Sequence, residues 1–169
     1  MKISTWNVNS LKVRLPQVLD WLAAARPDIL CLQECKSPVD KMPLEVFAAA
    51  GYGHVVARGQ KGYNGVAILS KLPLEDVTRG LPGDDDDEQA RWIEATVVAR
   101  RAIRICGLYL PNGNPAPGPK YDYKISWMER LKARAEEIGV PDLMDKIGDE
   151  TVAETGEELL EHMTKVEHP

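Results

Sequence analysis

Short apolar runs alternate with polar stretches along the first 138 residues, and their spacing predicts a mixture of strands and helices. Runs rich in β-branched and aromatic residues predict strands; these runs span residues 2–8, 27–33, 54–59, 64–70, 91–99 and 102–110. Apolar residues at helical spacing predict helices over 15–25, with Pro16 at its start, over 43–50 and over 121–138. This order of strands, helices and paired strands predicts a layered α+β (α/β layered) domain.

Residues 139–169 differ in character from the part of the chain that precedes them. They contain no aromatic residue, two lysines and nine acidic residues, and their pattern predicts one weak helix over about 150–163. An acidic surplus with few large apolar residues is typical of loosely packed or disordered segments. We therefore predict a domain over residues 1–138 and an acidic tail over residues 139–169.

The net charge of −5 conceals an uneven distribution of charged residues. The tail carries −7 and the acidic run at 84–88 carries −5, so the rest of the chain carries +7. The net charge argues against a general nucleic-acid coat protein, yet a basic body of this kind can meet a phosphate backbone. The acidic run itself is expected to be a solvated loop.

The chain offers no signal for a membrane or for disulfide bonds. No apolar run approaches the roughly 20 residues needed to span a bilayer, and no signal-peptide pattern is present. We therefore expect a cytoplasmic protein without a membrane partner. Its three cysteines are expected to be free and reduced, with a packing role.

Polar side chains follow three predicted strands at the point where each strand ends. Asn7 ends the first strand, Glu34 follows the second, and Tyr109 ends the last, with Asn112 in the loop after it. In layered α/β proteins such strand ends commonly converge on one crevice, and amide and carboxylate oxygens are ligands that suit Mg²⁺. Each residue also has a plainer interpretation: a solvated strand-end carboxylate, turn-forming asparagines, or a tyrosine at the edge of the core.

Five ordered blocks of the sequence resemble the family of bacterial exonuclease III, the abasic-site endonuclease branch of the endonuclease/exonuclease/phosphatase superfamily. The blocks are KISTWNVNSLKVRLPQVLDWL, PDILCLQECK, YNGVAILSK, DEQARWIEA and LYLPNGNPAPGPKYDYKISWMERL. The resemblance runs from Met1 to about Ile138. It implies two packed β-sheets flanked by helices, of which only the first half is expected in this chain.

The resemblance also implies an activity and the residues that carry it. The activity is Mg²⁺-dependent hydrolysis of phosphodiesters in double-stranded DNA, at 3′ ends and on the 5′ side of abasic sites. Asn7 and Glu34 would hold Mg²⁺, with Mn²⁺ as an alternative, and Tyr109 would contact the scissile phosphate. An unperturbed phenol pKa of about 10 keeps such a tyrosine a hydrogen-bond donor at neutral pH. The implied DNA contacts are Arg91 and Asn112, with Tyr63 and Asn64 as weaker candidates, and Lys120 and Lys124 lie beside the loop that follows the last strand.

Three motifs that the family carries further along are absent from this sequence. They are an apolar strand ending in GDFN or GDYN, an N-x-G-x-R-I-D-type motif and a final SDH; IGDET at 147–151 is a poor substitute for the first. The resemblance assigns the missing groups to positioning the attacking water, a contribution worth orders of magnitude in rate. We therefore expect a truncated chain with weak or no activity and a sheet face that lacks most of its cover.

Two other functions stay open from the sequence. The chain could be a non-catalytic module that binds DNA weakly or pairs with a separately encoded C-terminal half. It could also be a phosphatase or phospholipase of the same superfamily, although YLPNGNP and DYK favour the nuclease branch. The sequence decides neither the oligomeric state nor whether residues 139–169 are a native tail or a frameshift product.

Overall fold

The computed structural model describes residues 1–139, so the helix predicted over about 150–163 lies outside the described residues. The chain divides into two compact units, of which the first spans Met1–Ile125 and the second begins at Ser126. None of the described helices combines the length and the apolar character needed to cross a bilayer.

Within residues 1–139 the chain forms strands and helices in an order close to the one predicted. The strands are β1 (Ile3–Asn7), β2 (Ile29–Gln33), β3 (His54–Arg58), β4 (Val66–Ser70), β5 (Leu74–Arg79), β6 (Trp92–Val97) and β7 (Ile103–Leu108). The α-helices are α1 (Leu11–Ala25), α2 (Leu44–Ala49) and α3 (Pro119–Glu137), with a 3-10 turn at Val39–Lys41.

The strands form two sheets. The first sheet has the order β1-β2-β4-β3, in which β1 and β2 are parallel and the other pairs are antiparallel. The second sheet, β5-β6-β7, is antiparallel throughout. The predicted fold class, α+β with two sheets and flanking helices, is therefore confirmed.

Apolar side chains from both sheets meet in one buried layer. The first sheet contributes Ile29, Cys31, Val66 and Ile68, and the second contributes Ile93, Ala95, Val97 and Ile105. The other face of the first sheet packs on α1 and α2 through a second cluster that includes Val18, Leu22, Leu30, Leu32 and Phe47. Since burying one large aliphatic side chain contributes about 1.5–3 kcal/mol, these two layers supply most of the drive for folding.

The two lateral edges of this pair of sheets differ in whether the sheets are linked there. At the β3/β5 edge, the Arg79 guanidinium donates to the Ala57 carbonyl at 3.1 Å and links the sheets. At the β1/β7 edge, the strands border a groove of about 590 Å³, and Ile3 and Ile103 keep 48% and 36% of their surface exposed. These two isoleucines leave apolar surface exposed at this edge.

Two elements differ from the sequence prediction. Strand β5 was not predicted, because its sequence LEDVTR carries polar side chains at most positions, and a register shift between Glu75 and Thr78 interrupts its pairing. Helix α1 begins at Leu11, so Pro16 lies inside it and not at its start. The earlier start follows from tertiary hydrogen bonds, since the backbone N–H groups of Ser10 and Leu11 donate to the carbonyls of Glu34 and Cys35 at 2.8 and 3.0 Å.

The three cysteines are free, as predicted. Cys31 and Cys35 are buried. Burial raises the pKa of Cys31 to about 11, and it raises the pKa of Cys35 to about 12 against the opposing effect of a backbone hydrogen bond. Both thiols therefore stay protonated at neutral pH, which suits a packing role better than metal binding.

Candidate metal and phosphate site

Three strand ends converge on the carboxylate of Glu34. Asn7 is the last residue of β1, Glu34 follows β2 directly, and Tyr109 follows β7. The Glu34 Oε1 atom accepts a hydrogen bond from Asn7 Nδ2 at 2.8 Å and one from the Tyr109 hydroxyl at 2.9 Å. The structure thus joins the ends of both sheets at one carboxylate, and it brings together the three residues singled out from the sequence.

Lys36 completes this cluster and was not predicted. Its ammonium group lies 3.1 Å from Glu34 Oε2 and also donates to Asn9 Oδ1. The sequence places a lysine two residues after the candidate ligand, but the two side chains meet because the backbone turns at Glu34 and Lys36, where φ is positive. A lysine two residues after a candidate ligand is nevertheless common on any surface, so the pattern alone carried little weight.

The backbone at this site adopts a conformation that ordinary residues seldom take. Glu34 and Lys36 have φ angles of +53° and +51°, and a non-glycine residue in this region typically costs about 1–3 kcal/mol. Hydrogen bonds from Cys35 N–H to the Gly65 carbonyl at 3.1 Å and from Lys36 N–H to the Asn64 carbonyl at 2.9 Å hold the segment in place. The position of the carboxylate is therefore fixed by the neighbouring 64–65 loop.

Gly65 is required by this arrangement for two reasons. Its φ angle is +94°, and a Cβ atom at this position would lie 3.2 Å from both Cys35 Cβ and the Lys36 nitrogen. Those neighbours are backbone or rigid atoms that cannot move aside easily. A side chain at residue 65 would therefore push on the segment that carries Glu34.

The titration behaviour of Glu34 and Tyr109 follows from these contacts. Partial burial alone would raise the pKa of the Glu34 carboxyl, but hydrogen bonds from Asn7, Lys36 and Tyr109 outweigh it and leave the pKa below its ordinary value. Burial and the neighbouring Glu34 charge raise the pKa of Tyr109 above its ordinary value, and Arg91 opposes this only in part. At neutral pH the pair is therefore a carboxylate and a neutral phenol donor.

Arg91 lies over the ring of Tyr109, with its guanidinium carbon 4.9 Å from the ring centre. Its Nε donates to Gln89 Oε1 at 2.7 Å, and one terminal nitrogen donates to the Tyr109 and Leu110 carbonyls at 3.2 and 3.4 Å. Gln89 was not predicted, although it fixes the orientation of a predicted residue. The guanidinium places a permanent positive charge next to the Glu34–Tyr109 pair.

The remaining predicted residues divide into two groups. Asn112 and Lys120 line a second groove of about 370 Å³ together with Arg91 and Tyr123, and the side chain of Lys124 lies against Gly113 at its border. Tyr63 is exposed. Asn64 is buried, and its amide donates to Gln60 at 3.0 Å and to Gln89 at 3.4 Å instead of contacting Glu34. Asn64 therefore supports Gln89 and, through it, Arg91.

The oxygen atoms at this site suit a hard cation that takes only one or two of its ligands from the protein. Among residues 1–139, no three histidine, cysteine or acidic side chains form a metal-binding group, and the residues that contact the Glu34 carboxylate are Asn7, Lys36 and Tyr109, none of them acidic. Mg²⁺ commonly binds through one or two carboxylates and completes its shell with water and phosphate. Asn7 Oδ1 accepts the Asn9 N–H at 3.1 Å, and Lys36 contacts the carboxylate, so a bound cation would share or replace these contacts.

Comparison with known protein families gives two matches. The model of the endonuclease/exonuclease/phosphatase family matches residues 4–142, which is most of the chain. A model of the C-terminal part of the ACS/CODH beta subunit matches residues 119–169, less than a third of the chain, and overlaps the end of the first match. The first match covers every element that carries the Glu34 cluster.

Individual relatives come from curated sequences and from solved structures. Exodeoxyribonuclease III of Haemophilus influenzae is 35% identical over 114 residues, which cover 67% of this chain and 42% of the relative. A 3′-5′ exonuclease, NExo, from Neisseria meningitidis is 48% identical with a TM-score of 0.75, over 82% of this chain and 54% of that one. Another structure of NExo from Neisseria, described as a 3′ phosphatase bound to a product DNA hairpin, gives a TM-score of 0.76 at 48% identity, over 82% and 53%.

An AP endonuclease from Archaeoglobus fulgidus is 43% identical with a TM-score of 0.75, over 81% of this chain and 51% of that one. The chain thus spans about half the length of the relatives and structures that it matches.

Proposed function

Because the chain belongs to the endonuclease/exonuclease/phosphatase family, we propose that it is the N-terminal part of a Mg²⁺-dependent DNA phosphodiesterase of exonuclease III type. Its family portion is residues 1–138, and residues 139–169 are an acidic tail. The substrates are double-stranded DNA with abasic sites or 3′ ends. The observation that carries the proposal is the Glu34 carboxylate, which receives hydrogen bonds from Asn7 and Tyr109 at the ends of three strands.

Each residue of the cluster has a distinct role in this proposal. Glu34 and Asn7 would hold Mg²⁺, or Mn²⁺ in its place, and the ion would supply positive charge to neutralise a phosphate oxygen. Tyr109 keeps its proton at neutral pH, and its single O–H, which donates to Glu34 in this structure, would turn to donate to the phosphate. Arg91, held by Gln89 over the Tyr109 ring, adds a fixed positive charge for the same phosphate.

The basic groove beside the cluster contacts the DNA backbone in this proposal. Arg91, Asn112 and Lys120 line it, and Lys124 lies at its border. Contacts of this kind position a duplex without reading its sequence. Tyr63 extends the contact surface from its exposed position, whereas Asn64 acts indirectly by supporting Gln89.

A Mg²⁺ titration tests the proposed metal site independently of any cleavage. We expect isothermal titration calorimetry to detect Mg²⁺ binding by the wild-type chain and a loss of that binding in Glu34→Gln. The matched control is Glu45→Gln, which changes an exposed acid on α2 and should bind Mg²⁺ like the wild type. Equal binding by Glu34→Gln and the wild type would remove the basis of the assignment.

A cleavage assay tests the expected activity of the chain by itself. We expect negligible nicking of a duplex with one abasic site in the presence of Mg²⁺, because the motifs that would position the attacking water are absent from this sequence. Strong Mg²⁺-dependent nicking that Glu34→Ala abolishes would contradict the expected inactivity. Release of phosphate from a 3′-phosphorylated end, without nicking, would instead favour the phosphatase alternative.

DNA retention at two salt concentrations tests the basic groove. We expect the affinity for a duplex to fall steeply with salt, and Lys120→Gln and Lys124→Gln to reduce the slope of log K against log[salt] by about 1 each. Lys71→Gln is the control, since Lys71 lies over the Tyr52 ring and outside the groove. DNA retention that does not change with salt would contradict DNA binding by this chain.

A second candidate is a non-catalytic half-domain that pairs with a separately encoded C-terminal half. One observation favours it: the groove at the β1/β7 edge leaves the apolar residues Ile3 and Ile103 exposed. Co-purification of the two halves distinguishes it from a chain that acts alone.

A further inference from the structure

The 60–65 segment connects β3 to β4 and is bonded to both parts of the candidate site. Its Asn64 carbonyl accepts the Lys36 N–H at 2.9 Å, in the turn that carries the candidate metal carboxylate. Its Gly65 N–H donates to the Ala90 carbonyl at 2.9 Å, just before β6 begins. The turn follows a strand of the first sheet, and β6 belongs to the second sheet. The 60–65 segment therefore links the two sheets at the candidate site.

Gln60 adds a side-chain contact to this link. Its Oε1 atom accepts hydrogen bonds from Asn64 Nδ2 at 3.0 Å and from the Ala90 N–H at 3.2 Å. Ala90 keeps only 1% of its surface exposed, so its N–H depends on Gln60 for the hydrogen bond that water would otherwise supply. Both the N–H and the C=O of Ala90 are thus bonded to the 60–65 segment, which fixes the orientation of Ala90 as well as its position.

The residues on either side of Ala90 extend this order to the Arg91 guanidinium. Gln89 Oε1 accepts Arg91 Nε at 2.7 Å and the Asn64 amide at 3.4 Å. Gln60 therefore acts on the guanidinium along two routes, through the backbone of Ala90 and through the Asn64 amide. One terminal nitrogen of Arg91 is bonded to main-chain carbonyls. The other has no hydrogen-bond partner among the described residues, which leaves it available to a phosphate.

We propose that Gln60 is a positioning residue for DNA binding: it holds Arg91 so that the guanidinium meets a backbone phosphate at a fixed place relative to Glu34. Gln60 itself touches neither the DNA nor the metal. The inference rests on the proposed function, since it takes a DNA phosphate as the partner of Arg91. Both hydrogen bonds to Gln60 end on its oxygen, so the role requires an acceptor at this position.

The gain that Gln60 supplies is preorganisation of the Arg91 side chain. Ordering a long, flexible side chain when a ligand binds costs conformational entropy. A guanidinium that the folded chain already holds has lost that entropy before the DNA arrives. Loss of the Gln60 acceptor frees the Asn64 amide and leaves the buried Ala90 N–H without its partner, so Arg91 becomes less ordered.

An NMR experiment tests the positioning without DNA. The Nε–H of Arg91 in the full chain should exchange slowly with water, because it is bonded to Gln89, and Arg91→Lys assigns its signal. Gln60→Leu keeps the approximate size of the side chain and removes the acceptor, so it should speed this exchange by about threefold or more. Gln60→Glu keeps an acceptor oxygen and should retain the wild-type exchange rate.

Fluorescence anisotropy with a labelled duplex that carries one abasic site tests the effect on binding. Gln60→Leu should weaken binding by about threefold to tenfold, since part of one charge-assisted contact with phosphate is lost. In an Arg91→Met background the same change should have no further effect, whereas in a Lys120→Gln background it should keep its full effect. A general loss of stability would weaken binding alike in both backgrounds.

Gln17→Leu is the matched control for these measurements. Gln17 is an exposed glutamine on α1, so the same chemical change there should leave both the Arg91 exchange rate and the DNA affinity unchanged. Thermal unfolding followed by circular dichroism should show that the Gln60 and Gln17 variants are folded at the temperature of the assays.

The outcomes separate this inference from the proposed function. An unchanged Arg91 exchange rate in Gln60→Leu would overturn positioning by Gln60, and so would an equal loss of DNA affinity in the Arg91→Met and Lys120→Gln backgrounds. Faster exchange in Gln60→Glu as well as in Gln60→Leu would overturn the acceptor role. Faster exchange in Gln60→Leu alone, in a chain that does not bind DNA, would support the hold of Gln60 on Arg91 and contradict the proposed function.

Discussion

Replacing Tyr109 with phenylalanine isolates the hydrogen bond that links the two sheets at the candidate site. The phenol donates to Glu34 Oε1 at 2.9 Å, while Asn7 and Lys36 supply the other polar contacts of the carboxylate. Phenylalanine keeps the ring under the Arg91 guanidinium and removes only the hydroxyl. The change therefore tests one donor without emptying the site.

The size of the effect follows from the charge and exposure of the acceptor. A hydrogen bond to a charged group contributes about 1.5–3 kcal/mol, and partial exposure of this site places it near the lower end, at about 1.5 kcal/mol. The folded-state pKa of Glu34 lies below its ordinary value. Its contribution to the free energy of unfolding is thus present above the unfolded carboxyl's pKa of about 4.3 and is lost as pH falls through the folded pKa.

We therefore expect Tyr109→Phe to lower the free energy of unfolding by about 1.5 kcal/mol at pH 7 and by less in acid. We also expect the pKa of Glu34 to rise, since one donor to the carboxylate is lost. Denaturation with urea, followed by tryptophan fluorescence at several pH values, measures the first effect. A carboxyl-detected NMR titration, with Glu34→Gln to assign the signal, measures the second.

Tyr123→Phe is the matched control for this substitution. It removes a phenol that donates to the Asp87 carboxylate at 3.0 Å, so it should leave the Glu34 titration unchanged. In a double-mutant cycle, Tyr109→Phe and Glu34→Gln should show a coupling of about 1 kcal/mol. An unchanged Glu34 pKa together with additive effects would refute the argument that Tyr109 stabilises the ionised carboxylate.

Three further changes test other parts of the structure. Gly65→Ala should lower the free energy of unfolding by about 1–3 kcal/mol, because the residue has a positive φ and closely approaches Cys35; urea denaturation measures it, and a loss under about 0.5 kcal/mol would contradict it. Arg104→Met should cost about 3 kcal/mol in the same assay, because it breaks the 2.8 Å ion pair with fully buried Glu94; a loss below about 1 kcal/mol would show that the pair contributes little. Cys31 and Cys35 have pKa values of about 11 and 12, so they should resist alkylation by iodoacetamide at pH 8 until the chain unfolds. Mass spectrometry measures the labelling, and rapid labelling of the native chain would contradict this prediction.

Most strands were predictable because their residues are mostly apolar, as expected for buried strands. The sequence of β4, VAILS, is apolar and β-branched, and the structure buries all five of its residues. Strand β5 escaped prediction because its LEDVTR sequence lies at a sheet edge, where polar side chains remain in water. The other edge strands, β1, β3 and β7, were predicted because they carry more apolar residues, so the missing signal in β5 is its polar composition.

Helix boundaries and site residues also depend on contacts between residues distant in the chain, which local composition does not report. The start of α1 at Leu11 depends on carbonyls of Glu34 and Cys35, which lie more than twenty residues away in the chain. Lys36 and Gln89 were missed because neither residue belongs to a strand end, and their importance comes from what they contact. The hydrogen bonds from the Asn64 amide to Gln60 and Gln89 were likewise not visible in the sequence, which offered Asn64 only as a weaker candidate for a DNA contact.

By itself the sequence determined the fold class, the positions of Asn7, Glu34 and Tyr109 at strand ends, and the family to which these motifs point. These features are local, because each depends on which residue types follow one another along a strand. Only the tertiary structure decided that one carboxylate receives donors from both sheets, that the 64–65 loop holds its backbone, and that β1 and β7 leave an open edge among residues 1–139. Those features depend on residues distant in sequence, and the physical reason is that packing of the two sheets selects which side chains meet.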